Sequence, residues 1–311
     1  MLAGGAGVAA LAAVNAAIRR NAHEPDDSAL GGAANSFVSQ HGRVFYKSAG
    51  LNTSKRPIVF IHGIGAGVSS FQWRKNFGDL ARDYPVYALD LLGFGLSEKP
   101  ASVSYSAALY IELITDFLRE VVREPAHVIA SSLGASYVVQ VAAEHPQLVH
   151  SMILNAPTGY DTLSSRPGMA GAAFYGLLQS PVLGTSFYNV MASERSIRDY
   201  ARRSLFYDHR RVTNRLVANM YATSHQDGAQ HAIAAFLSGY LNIDMREAFA
   251  RLTQRVVLVW GRQDQTNPVA KGIALVDLNP RVRLEVFDYC RMLPEQEHPE
   301  GFNELVREIF G

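Results

Sequence analysis

The run Ile129-Ala130-Ser131-Ser132-Leu133-Gly134-Ala135 lies between an apolar stretch and a helical one, and it holds two hydroxyls where a nucleophile could work. A serine presented on a sharp strand-to-helix turn needs small residues two positions before and after it, because the backbone folds tightly there. Ala130 and Gly134 meet that condition for Ser132, whereas Ile129 and Leu133 fail it for Ser131. Ser132 is the candidate nucleophile, in the pattern A-x-S-x-G rather than G-x-S-x-G. The Leu133 N–H, at the helix start, is a candidate oxyanion donor. A second is the N–H of Ile64 in His62-Gly63-Ile64-Gly65-Ala66-Gly67, directly after an apolar run. The chemistry on offer is acyl transfer through a serine. Serines that only open a helix are the plain alternative. The glycine turn has a rival reading as well. Gly63-x-Gly65 follows a strand and Asp90 ends the next one, as in a dinucleotide site, but Val68 stands where a third glycine belongs.

Rigid elements must hold these residues. Residues 57–61 (PIVFI), 85–90 (PVYALD), 126–130 (AHVIA), 149–155, 255–260 (RVVLVW) and 282–287 are short apolar runs, the pattern of strands covered on both faces. An earlier hairpin pairs 37–40 with 43–48 across His41-Gly42. Helical stretches fall between the runs at 69–82 and at 105–122, where Leu109, Leu113, Phe117 and Val121 share a face. Pro299 opens a last helix that ends near Phe310. This alternation predicts an α/β fold with a mostly parallel, doubly wound sheet. It lapses once, between 155 and 255, where aromatics and arginines such as Tyr175, Tyr200, Arg202 and Phe206 accompany helical patterns. The lapse predicts a helical cap over 160–250, inserted into a core formed by 36–159 and 251–311.

The residues from His62 through Trp73-Arg74-Lys75-Asn76 to Tyr87-Ala88-Leu89-Asp90-Leu91-Leu92-Gly93-Phe94-Gly95-Leu96-Ser97 resemble the α/β-hydrolase superfamily. The likeness is strongest to its cap-bearing branch, with pheophytinase-like and haloalkane-dehalogenase-like enzymes, and covers roughly residues 43–311. It implies the α/β-hydrolase fold, Ser132 as nucleophile, and Ile64 and Leu133 as oxyanion donors. It also implies Asp264, in Trp260-Gly261-Arg262-Gln263-Asp264, as the acid at a strand end, in the family's order of Ser before Asp. The family pattern Gly-His-Leu-Pro, followed by Pro-Glu-x-Phe, aligns with Arg291-Met292-Leu293-Pro294 and Pro299-Glu300-Gly301-Phe302. Met292 thus occupies the place of the catalytic histidine. A thioether is a weak acceptor and takes no proton from serine. Loss of a triad base costs on the order of 10⁶ in turnover.

Among the ten histidines, His298 and His225 are the candidate substitute bases, with His231 and His62 weaker. For each, a surface or packed histidine is the plainer reading. Two functions follow. One is a serine hydrolase acting on an ester or related acyl bond of a moderately apolar small molecule, with no cofactor. The other is a non-hydrolytic homologue, a ligand-binding or scaffold protein.

Composition narrows the partners. The 311 residues carry 29 basic and 28 acidic side chains, a net charge of +1 that gives no reason to expect nucleic acid. With 48% hydrophobic and 18% charged residues the chain is a core-rich globule, and the lone Cys290 excludes an internal disulfide framework. No metal-ligand spacing or phosphate-cradling loop is present in the sequence. Residues 1–18 carry no charge and are followed by Arg19 and Arg20. Eleven of those eighteen are Ala or Gly, and Asn15 interrupts the run, which leaves a membrane anchor, a docked surface helix and a frayed tail all open. If the segment enters a membrane, the two arginines keep the main domain cytoplasmic. The localisation expected is cytoplasmic, or peripheral at the cytoplasmic membrane face. Residues 21–35 read as a polar linker.

Overall fold

The computed structural model describes residues 2–311; Met1 of the uncharged N-terminal run lies outside them. Eight strands form one sheet: β1 Ala33–Ser39, β2 Gly42–Ala49, β3 Ile58–Ile61, β4 Val86–Leu89, β5 Ala126–Ser131, β6 Val149–Asn155, β7 Arg255–Gly261 and β8 Arg283–Phe287. Their order is β1-β2-β4-β3-β5-β6-β7-β8, parallel from β4 to β8 and antiparallel at β1 and β2. The central strands are apolar throughout because both faces are covered. Alternation decides which side chain goes where. Val59, Ile61, Val128 and Ala130 enter one core, and Ile58, Phe60 and Ile129 enter the other. The sheet is therefore α/β and doubly wound, as the strand–helix alternation implies.

Helix α1 spans Leu2–Asn21, α2 Phe77–Leu80, α3 Ala107–Asp116 and α4 Ser132–Glu144. Between β6 and β7 lie six more: α5 Met169–Leu178, α6 Leu183–Met191, α7 Glu194–Tyr200, α8 Asn214–Ser224, α9 Ala229–Leu237 and α10 Arg246–Arg251. Helices α11 Ala270–Leu278, α12 Pro294–Glu297 and α13 Pro299–Phe310 complete the chain.

Three local expectations differ from what is found. The helix expected over 69–82 is a 3₁₀ turn, Ser70–Trp73, followed by the short α2. The turn is held by partners far along the chain, since the Ser70 backbone N–H donates to Asp90 Oδ1 at 2.7 Å and the Gln72 side chain reaches Glu295. Those contacts outweigh helical propensity. The helix expected over 105–122 widens after α3 into a π-helical turn, Phe117–Val122, that keeps Phe117 and Leu118 in the core. The 21–35 linker is shorter than read, because Ala33, Ala34 and Asn35 already pair with Ser48, Lys47 and Tyr46.

The N-terminal segment is a helix packed on α6. Asn15, which reads in sequence as an interruption of an apolar run, is buried and makes the junction. Its amide donates to Val182 O at 3.1 Å and Ser186 Oγ at 3.0 Å, and its carbonyl accepts from Asn189 at 3.0 Å. Among the described residues no helix is long and apolar enough to cross a membrane.

Candidate active site

The carboxyl ends of β3, β5, β6, β7 and β8 share one edge of the sheet, where open α/β folds bind ligands. Ser132 begins α4 immediately after β5, with φ of 51°. A non-glycine residue in the left-handed region costs on the order of 1–3 kcal/mol, so the surrounding packing must impose it. The imposing contacts are glycines. A side chain on Gly134 would sit 2.3 Å from His62 O, and one on Gly63 would touch Ser132 Cβ at 3.4 Å. The loop after β3 is thereby pressed against the start of α4. Ser132 remains partly exposed. The Ile64 and Leu133 amides donate to no acceptor of the chain among the described residues. Two free N–H groups beside a strained, accessible hydroxyl can polarise a carbonyl under attack. Gly134→Ala is expected to destabilise the protein by about 1–3 kcal/mol through that overlap, read as a lower denaturant midpoint.

Asp264 follows β7 and is buried. Its Oδ1 accepts from Thr266 N at 2.8 Å and Asn267 N at 3.0 Å, while Oδ2 has no partner among the described residues. Burial raises its pKa above the ordinary carboxylate value, against those two hydrogen bonds and the charges of Lys271 and Arg291. The loops after β7 and β8 are joined just short of Asp264 and Met292. Gln263 N donates to Cys290 O at 2.9 Å, and Cys290 N donates to Gln263 Oε1 at 3.0 Å. A side chain on Gly261 would overlap Arg291 O at 2.0 Å, so only glycine permits this approach. The Tyr200 hydroxyl, at the end of α7, contacts the Met292 sulfur at 4.0 Å. Burial of that hydroxyl and the Asp264 charge both raise the Tyr200 pKa. Asp264, Met292 and Tyr200 therefore form one cluster.

The histidines lie elsewhere. His62 is fully buried; its Nε2 accepts from Leu91 N at 3.0 Å while Nδ1 faces Gly63 O at 2.6 Å, so both nitrogens are engaged. Burial lowers its pKa. His225 has Nδ1 at 2.8 Å from Tyr221 O and stacks on the Tyr221 ring, with Nε2 buried and unpartnered. His298 stacks on Phe287 and lines an outer cleft of about 490 Å³ with Tyr207, Arg210 and Tyr289. His231 meets Gln179 Oε1 at 2.8 Å. Among the described residues, no histidine hydrogen-bonds Ser132 Oγ. Asp90, the acid of the dinucleotide reading, is buried and accepts from Ser70 N and Leu96 N, which leaves it no free face for a ribose.

One constellation has no signal in the sequence. Glu295 is fully buried, with Oε1 accepting from Gln72 Nε2 and Oε2 from Asn155 Nδ2, each at 2.9 Å. Gln72 in turn accepts from Gly63 N at 3.1 Å, and Asn76 Nδ2 donates to Glu295 O. Burial pushes the Glu295 carboxyl up to about 7, against the two amide donors and Arg74. A single carboxylate thus ties the glycine turn to the end of β6 and to the loop carrying Met292.

The relatives agree with this architecture. The chain is 28% identical over 260 residues to the 2-hydroxymuconate semialdehyde hydrolase of Pseudomonas sp. (strain CF600), covering 80% of this chain and 85% of that one. It is 27% identical over 255 residues to a pimeloyl-[acyl-carrier protein] methyl ester esterase of Aeromonas hydrophila, covering 82% and 95%. Chloroplastic pheophytinase of Arabidopsis thaliana is 24% identical, with 85% and 63% covered. A solved meta-cleavage product hydrolase from Pseudomonas fluorescens superposes with a TM-score of 0.73 at 24% identity, over 89% of this chain and 97% of that one. The family model described as alpha/beta hydrolase fold matches residues 56–293, and the chain belongs to that family.

Proposed function

We propose that the protein is a serine hydrolase acting on an ester or related acyl bond of a moderately apolar small molecule, with Ser132 as nucleophile. The observation that carries the reading is the strained Ser132, held at φ of 51° by Gly134 and Gly63 beside two unpartnered amides. In the reaction Ser132 Oγ attacks the acyl carbon, and the Ile64 and Leu133 N–H groups receive the oxyanion. The serine proton is relayed to Asp264 Oδ2, a buried carboxylate oxygen with no partner among the described residues, and returns from there to the oxygen of the departing alcohol. The alcohol then leaves, and water releases the acid from Ser132. The helices between β6 and β7 act as the cap over the acyl group, and Tyr200 reaches from them to Met292. Curated relatives named as an ester esterase and as semialdehyde hydrolases support the reaction class.

A fluorophosphonate probe is expected to label the wild type slowly and Ser132→Ala not at all, with ester turnover lost in parallel. Equal labelling or turnover in both would overturn the assignment. A second reading, a non-hydrolytic binding protein, is favoured by Met292 and by the absence, among the described residues, of a histidine bonded to Ser132. Absence of labelling, together with retention of an apolar ligand at the same site, would establish it.

A further inference from the structure

A helix that is apolar on every side is ordinarily buried or placed in lipid. Helix α5 (MAGAAFYGLL) is such a helix, yet Leu178 is its one buried residue; Met169 is 93% exposed and Leu177 52%. The adjoining α6 turns Gly184, Thr185 and Tyr188 inward. It leaves Leu183, Phe187 and Val190 outside, an exposed stripe at the helical spacing i, i+4, i+7. The Phe174 and Phe187 rings meet edge-on at 6.3 Å. Phe187 also shares a small crevice with Leu237 of α9, so the exposed residues of α5, α6 and α9 are contiguous. Helix α1, docked on α6 through Asn15, adds exposed Val8, Leu11 and Val14.

Charge says what covers this face. Helices α5, α6 and α9 contain no Asp, Glu, Lys or Arg, in a chain of which 18% is charged. From Thr162 to Ser193 the only charged side chain is Arg166, and the charges of α1 are Arg20 and Arg19, the latter paired with Asp227 at 3.3 Å. Glycine, alanine and phenylalanine without a carboxylate, edged by arginine, complement acyl chains beneath anionic headgroups. A second copy of the chain would bring the same arginine edge against itself.

We infer that the face formed by α5, α6 and α9, with α1 beside it, rests in the interface of an anionic lipid bilayer without crossing it. Exposed apolar groups of this extent on a soluble surface mark an interaction site, and the cap helices would then meet substrates that partition into lipid. The inference is independent of what Ser132 does.

Flotation with unilamellar vesicles tests it. The full chain is expected to float with mixed phosphatidylcholine–phosphatidylglycerol vesicles, less with pure phosphatidylcholine, and still partly at high salt. Leu177→Glu with Phe187→Glu changes two exposed side chains and is expected to lower the bound fraction at least about tenfold. The circular dichroism of that variant should be unchanged, and Ser132→Ala should float as the wild type does. The idea fails if the wild type floats with neither vesicle, or if the double variant floats equally well. Self-association in sedimentation velocity that the same two substitutions abolish, without flotation, would assign the face to a second copy instead.

Discussion

Met292→His is expected to raise ester turnover by on the order of 10³-fold, with a new kinetic pKa of about 6.5. The gain follows from what surrounds the position. Asp264 Oδ2 is buried with no partner among the described residues, an acceptor of the kind that an imidazole N–H satisfies. The loops bearing the two residues are clamped to each other through Gln263 and Cys290, so a histidine at 292 begins within the same cluster as the acid. The Met292 side chain is only partly buried, and its polar neighbour, the Tyr200 hydroxyl, can accept or donate to a ring nitrogen. A positioned imidazole takes the serine proton directly and is held in one tautomer by the carboxylate. The wild type should lack that titration in its pH–rate profile. Met292→His with Ser132→Ala should fall back to background, because the new base has no hydroxyl to activate. Turnover within tenfold of wild type in a folded Met292→His would show that the cluster does not present position 292 to Ser132.

Which parts of this site are legible from the sequence follows from the range of the interactions. The strands announce themselves because a strand covered on both faces must be apolar at every position, as in PIVFI before His62. The turn at Ser132 is legible because its geometry tolerates only small flanking residues, a constraint written within five positions. Two features escape. Asn15 looks like a flaw in an apolar segment until its partners appear in α6, more than 160 residues away. Glu295 looks like either of the two acids in Pro294–Glu297. Its partners Gln72 and Asn155 are 223 and 140 residues distant, one in the 3₁₀ turn after Ser69 and the other at the end of β6. Local pattern carries no trace of a hydrogen bond closed by tertiary packing. The broken helix after Ser69 is the same effect in reverse, where Asp90 captures the Ser70 backbone N–H and Glu295 the Gln72 side chain, which a regular helix would turn outward.

Glu295→Gln is expected to remove a pH dependence of stability worth on the order of 3 kcal/mol between pH 4.5 and about 7. The sign follows from the raised carboxyl. With a folded pKa of about 7 and an unfolded one near 4.5, the native state holds the proton that the unfolded state gives up. Wherever the native state binds more protons, stability falls as pH rises, so this carboxyl's contribution declines across the window and is flat above it. Other groups act oppositely. His62, His225 and His127 are buried and His231 half-buried, all with pKa values lowered by desolvation, His127 to about 3. Each favours the native state more as pH climbs toward 6.5. The total curve is therefore a compromise, and the difference between wild type and variant isolates Glu295. The amide is accommodated because Asn155 Oδ1 is buried without a partner, and a flipped Asn155 can accept from the new NH₂ while Gln72 keeps its acceptor. Denaturant titrations of both proteins across this range give the difference directly. It should turn in the variant's favour as pH rises, because the wild type must then hold a charge in a site from which water is excluded. A difference that stays constant from pH 4.5 to 8 would mean the carboxylate is ionised throughout, compensated by Arg74 and its two amide donors.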